Sequence, residues 1–116
     1  MQFKVMMFDE YTKDKILSGE KTVTRRLRKD NRRPAVPDHI HKIKTDRTKQ
    51  THGYIYIESC EKGFFGELTE YDALLEGFKS KEEYKDYFQR VNGSVDDDLP
   101  IWIITFKLIN NENSMG

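Results

Sequence analysis

A chain of 116 residues with 36% hydrophobic and 34% charged side chains has the size of one domain, room for one modest core, and a wet surface. Twenty Lys/Arg balance 20 Asp/Glu, and no apolar run approaches the length of a membrane span, so neither a strongly charged nor a membrane-embedded protein fits. The lone Cys60 excludes an internal disulfide, and Met1–Phe8 is too short and too poor in small residues for a secretory signal; both point to the cytoplasm.

The charge is unevenly spread. Residues 1–60 hold 14 Lys/Arg against 8 Asp/Glu, and the excess is sharpest across residues 25–50. A basic stretch in a neutral protein suits phosphate or nucleic acid, although a solvated, salt-bridged loop reads the same way.

In chain order, residues 3–8 predict a short strand. Asp9 is placed to cap a helix over residues 10–18, which Gly19 ends in the left-handed conformation. Thr22 to Arg26, rich in β-branched residues, predicts a second strand. Residues 27–38 form a basic loop stiffened by Pro34 and Pro37. His39 to Lys44 alternates as a strand does, and Tyr54 to Cys60 is the strongest β segment of the first half. Gly63 predicts a turn, with Phe64–Leu68 returning from it as a strand.

Thr69 and Asp72 stand at capping-box spacing, with Asp in place of the usual Glu or Gln, ahead of a short helix that Gly77 ends. Ser80 to Glu83 is a full box. It opens a helix whose Tyr84, Tyr87, Phe88 and Val91 repeat at helical spacing and should face the core. Asp96 to Pro100 is an acidic loop. Ile101 to Phe106, apolar on both faces, predicts a central strand. The pattern is α+β: a small mixed β-barrel of five to six strands with two to three flanking helices. Residues 1–109 make one domain and 110–116 a tail with no reason to be ordered.

The run Ile16-Leu17-Ser18-Gly19-Glu20-Lys21-Thr22-Val23-Thr24-Arg25-Arg26 resembles the opening motif of the ASCH domain family. Ala73 to Phe78 with Ser80, Glu82 and Glu83 resembles its second helical block, and Trp102 to Phe106 its closing strand. Pro34 to Pro37, Ile40 to Ile43 and Gly53 to Ile55 are similar to members with a long basic loop. One departure is Pro37-Asp38-His39, where many members carry Gly-Asp. Because a left-handed conformation is costly for Asp, a different turn is expected there.

The resemblance implies a PUA-like barrel that binds RNA. A bacterial branch of small ASCH proteins removes the acetyl group of N(4)-acetylcytidine with a Lys, a Thr and a Glu; the matching positions are Lys21, Thr24 and Glu76. On that reading Thr24 is the nucleophile, Lys21 its base and Glu76 the acid/base partner, or Glu76 activates water. A Lys serves as base only if desolvation or a nearby cation lowers its pKa, and Arg25 and Arg26 would supply the cation. In a regular strand Lys21 and Thr24 point to opposite faces. Only a turn through Gly19 to Lys21 brings them together.

Each residue also has a plainer role: Lys21 and Arg26 as surface phosphate contacts, Thr24 as a strand residue, Glu76 as a local cap. The expected function is therefore binding of RNA or a nucleoside in a basic cleft. Lys21, Thr22, Arg25 and Arg26 would line the cleft, and Arg28, Lys29, Arg32 and Arg33 would contact phosphates. Alternatives are amidohydrolysis of acylated cytidine, metal-free RNA cleavage, and a protein-interaction module. No cofactor is implied. His39, His41 and His52 lack the acidic or Cys partners a metal site needs. Tyr54 and Tyr56 could stack bases or pack across strands. Trp102 and Cys60 should be buried.

Overall fold

The structure, a computed structural model, describes residues 3–47 and 50–109. The proposed tail, 110–116, lies outside them. One mixed five-stranded sheet runs in the order β1-β3-β4-β5-β2. Its strands are β1 (Lys4–Met7), β2 (Val23–Leu27), β3 (Ile40–Lys44), β4 (Gly53–Phe64) and β5 (Pro100–Ile109). Only β1 and β3 are parallel. Three helices flank it: α1 (Glu10–Leu17), α2 (Glu70–Leu75) and α3 (Lys81–Asn92).

The fold is α+β, and β5 lies inside the sheet, between β4 and β2. Closure is looser than a barrel. Among the described residues no ladder joins β1 to β2; instead Arg26 Nη2 donates to the Met7 carbonyl across the seam at 2.6 Å. Its guanidinium also lies 4.9 Å from the centre of the Phe8 ring. One charged side chain thus bridges the two end strands where backbone pairing is missing.

Two apolar clusters hold the layers together. Met6, Ile16, Ile43, Ile55, Ile57, Ile104 and Phe106 gather around the buried Trp102. Phe65, Leu68, Phe78, Tyr84, Phe88 and Ile101 form the second, between α3 and the far end of the sheet. Cys60 is buried in the first cluster.

Several local expectations are corrected. Gly63 is no turn: β4 passes straight through it to Phe64, and a short 3-10 turn (Phe65–Glu67) replaces the return strand. A Cβ at residue 63 would stand 2.7 Å from Ile103 Cδ1 of β5, so the glycine permits close strand approach. Asp38 does take the left-handed conformation, at φ 66°. It is held there by a hydrogen bond from Tyr56 Oη (2.7 Å) and by its own amide donating to the Ile57 carbonyl (2.8 Å). Tyr56 thus anchors this turn through its hydroxyl, while Tyr54 meets Phe3 edge-on.

Capping is also redistributed. The Thr69–Asp72 box is complete despite its Asp, with both reciprocal bonds made (2.9 and 3.1 Å). At Ser80 the hydroxyl accepts from the Glu83 amide, but the Glu83 carboxylate reaches the amide of Lys79 rather than that of Ser80. Val91 is 58% exposed. The apolar stripe of α3 outruns the core by one turn.

Candidate functional site

The cleft forms where three chain reversals meet. Asp9 caps α1, accepting from the amide of Thr12. At the other end of α1, Gly19 at φ 88° turns the chain, and the Lys21 amide donates back to the Lys15 carbonyl at 3.0 Å. The Thr22 amide then docks on the Leu75 carbonyl at the end of α2 (2.9 Å). Strand β2 starts only at Val23. Residues 19–22 are therefore a turn, and Lys21 and Thr24 escape the opposite-face geometry of a regular strand.

Glu76 arrives from α2. Its amide closes the helix, and Gly77 follows at φ 92°. The Gly77 amide donates to Leu74 and that of Phe78 to Ala73, both at 2.9 Å, which is a Schellman closure. The carboxylate beyond it is fully buried, at 0% exposure. A carboxylate at a helix C-terminus in a dry setting requires compensating cations, and the turn before β2 and β2 itself supply one each. Lys21 Nζ donates to Glu76 Oε1 at 2.5 Å and to the Val23 carbonyl at 2.8 Å. Arg25 Nη1 donates to Glu76 Oε2 at 2.9 Å, while its other terminal nitrogen lies 3.5 Å from Asp72.

This floor belongs to a cavity of about 520 Å³, a volume suited to a small ligand. Lys21, Thr24, Arg25, Arg26, Lys29 and Glu76 all line it. Side chains from both faces of β2 reach it because β2 ends the sheet and the cavity runs along its unpaired edge. The opposite wall comes from α1 and α3: Asp9, Thr12, Tyr84 and Tyr87. The sequence pattern predicts Tyr84 and Tyr87 as core residues and Asp9 as a cap. Two hydroxyls on an otherwise apolar helix face were the available signal, since a buried Tyr hydroxyl needs a partner. Tyr87 Oη donates to Asp9 Oδ2 at 2.5 Å.

Burial drives the Lys21 pKa down. Glu76 opposes this, and Arg25 and Arg26 add to the lowering. Burial also lifts the Tyr84 hydroxyl well above its ordinary value, with the Glu76 charge adding to the effect. At Asp9 burial works to raise the pKa, but hydrogen bonds from Tyr87 and Thr12 outweigh it, and the carboxyl sits below its usual value.

The remaining expected contacts do not converge here. Thr22 is tied by its backbone to α2 and β5 and does not line the cavity. Arg28 bonds to the Ile101 and Gly63 carbonyls and lies between Phe64 and Trp102, bracing the loop on the sheet. The Arg32 side chain is 91% exposed and pairs with Asp30. Arg33 lines a separate open groove with Cys60, Lys62 and Trp102. Only Lys29 of the basic loop reaches the cavity. The histidines are dispersed, and the described residues contain no cluster able to hold a metal ion.

An open mixed sheet flanked by three helices, with a cationic cavity against its end strand, defines a small α+β domain of PUA-like fold. The ASCH domain family matches residues 1–110, and the chain belongs to that family. Among solved structures it is similar to an ASCH domain from Lactobacillus crispatus, with 23% identity, a TM-score of 0.70, and 92% of this chain and 79% of that one covered. Protein EF3133 from Enterococcus faecalis is similar at 18% identity and TM-score 0.69, over 94% of this chain and 81% of its own. ASCH from Zymomonas mobilis is similar at 24% and 0.59, over 91% and 71%. These likenesses carry the fold. No curated protein matches the chain significantly, and no helix among the described residues is long and apolar enough to cross a membrane.

Proposed function

We propose that the cavity takes the base of a single nucleoside and that Lys21, Thr24 and Glu76 hydrolyse an N-acyl amide on it, as in removal of the acetyl group from N(4)-acetylcytidine. The observation that carries this reading is the convergence of the three residues in one cavity, with Lys21 and Glu76 in direct contact at 2.5 Å. The branch of ASCH proteins with this activity uses the same residue types.

The chemistry follows from the surroundings. Thr24 Oγ1 attacks the acyl carbon, and its proton passes to Lys21 while the amine is neutral; desolvation favours that neutral form. The negative charge on the acyl oxygen is met by the cations of β2. The C–N bond breaks as the leaving amine takes a proton from the Lys21–Glu76 pair. Water then releases acetate from Thr24.

The test is release of acetate and cytidine from N(4)-acetylcytidine by the purified protein, beside Lys21→Met, Thr24→Val and Glu76→Gln. Turnover that falls about 100-fold or more in each variant is expected. A folded wild-type protein without turnover would sink the amidohydrolase.

The second reading is RNA binding without chemistry. It is favoured by the engagement of both Glu76 oxygens and by the groove that places Arg33 and Lys62 beside Trp102. In that case the cavity seats one unstacked base and the basic loop follows the backbone.

A further inference from the structure

The cavity holds a second carboxylate that the proposed reaction leaves unused. We infer that Asp9 is a specificity-determining residue which selects ligands carrying a ribose hydroxyl, 2′ or 3′. The inference rests on the nucleoside reading above and names the sugar that the site accepts.

The two acids are engaged by different partners, cations at Glu76 and neutral donors at Asp9. An ionised carboxylate offers about four acceptor positions. At Glu76 each oxygen already holds a cation. At Asp9, Oδ1 accepts from the Thr12 amide (2.8 Å) and from the Thr12 hydroxyl (2.7 Å). Oδ2 accepts from Tyr87 alone among the described residues. One acceptor position therefore remains open, on a residue that lines the cavity.

Position decides what meets it. Glu76 is fully buried, whereas Asp9 is exposed. Both line the same cavity, so Glu76 marks its floor and Asp9 its mouth. A nucleoside is long in one direction, with the base at one end and the sugar at the other. A base that reaches Lys21 and Glu76 with its exocyclic amide leaves its sugar at the mouth. An anionic acceptor there welcomes hydroxyl donors and repels a phosphate, which has Lys29, also lining the cavity, as its alternative.

Rigidity completes the argument. Thr12 stands on α1 and Tyr87 on α3, so two elements hold the carboxylate. A pre-oriented acceptor makes a missing ligand hydroxyl costly, because the acceptor is then left unpaired.

The test is calorimetric titration of cytidine, 2′-deoxycytidine and 3′-deoxycytidine into wild type, Asp9→Asn and Asp9→Ser. Both replacements are good helix caps, and far-UV circular dichroism checks that α1 persists. Wild type is expected to bind cytidine about tenfold or more tighter than at least one deoxy analogue, the difference a hydrogen bond to a charged group makes. Asp9→Ser should bring all three ligands to within about threefold, with Asp9→Asn between. Equal binding of the three ligands by wild type overturns the role of Asp9 and leaves the nucleoside reading standing. A ribose preference that survives both replacements also overturns it. Absence of cytidine binding at millimolar concentration overturns both.

Discussion

Two buried ionisable residues of this domain have opposite means of staying buried. Glu76 is compensated by two cations, Lys21 from the turn before β2 and Arg25 from β2, and removing either partner would leave charge in a dry place. His41 is fully buried, accepts from the Val36 amide through Nε2 at 3.2 Å, and so carries its proton on Nδ1. That nitrogen has no partner among the described residues. Burial lowers its pKa below the ordinary 6.5, and Lys4 and His39 lower it further. Between the folded value and 6.5 the unfolded chain binds a proton that the folded one refuses. Stability is therefore full above this window and falls as pH drops through it. Urea unfolding of wild type at pH 7 and pH 5 should show that loss, and His41→Gln should flatten it. An unchanged slope in the variant would place the acid sensitivity elsewhere.

At the scale of elements, the site depends on how two short helices stop. Gly19 and Gly77 both have positive φ, and any L side chain there costs about 1–2 kcal/mol. Their surroundings differ. A Cβ at Gly19 would meet nothing, whereas one at Gly77 would stand 2.9 Å from Lys15 Cδ and 3.5 Å from Lys21 Cβ. Lys15 also donates to the Gly77 carbonyl at 2.6 Å. Gly77→Ala should therefore destabilise more than Gly19→Ala in urea unfolding and should weaken ligand binding, because Glu76 sits one residue away. Equal losses in the two variants would mean that Lys15 yields freely. Stops of this kind were legible in the sequence, since Gly after an apolar run has a local cause. The role of Gly63 was not, because its reason is a side chain of β5 far along the chain.

At the scale of the molecule, the cations divide into two sets. Lys21, Arg25, Arg26 and Lys29 line the cavity, while Arg32 and Arg33 lie outside its lining. A ligand without phosphate should be indifferent to the second set. Arg32→Gln with Arg33→Gln should leave cytidine affinity unchanged. For a single-stranded RNA it should reduce the slope of log K against log salt by about 1.4, as loss of two phosphate contacts requires. An unaltered RNA slope would remove the basic loop from the interface.

By itself, the sequence determined the α+β class, the family, most strand and helix positions, and the residue types of the site, because each rests on local propensity or on motif order. Only the tertiary structure decided that Lys21 and Thr24 share a cavity, that Arg28 is a brace and Thr22 a backbone anchor, and that Asp9, Tyr84 and Tyr87 form the opposite wall. Those outcomes depend on which edge of the sheet stays unpaired and which helix faces it. The reason is that local chemistry sets where a chain turns, while the approach of residues 55 positions apart, as in Lys21 and Glu76, is set by the packing of all the elements between them.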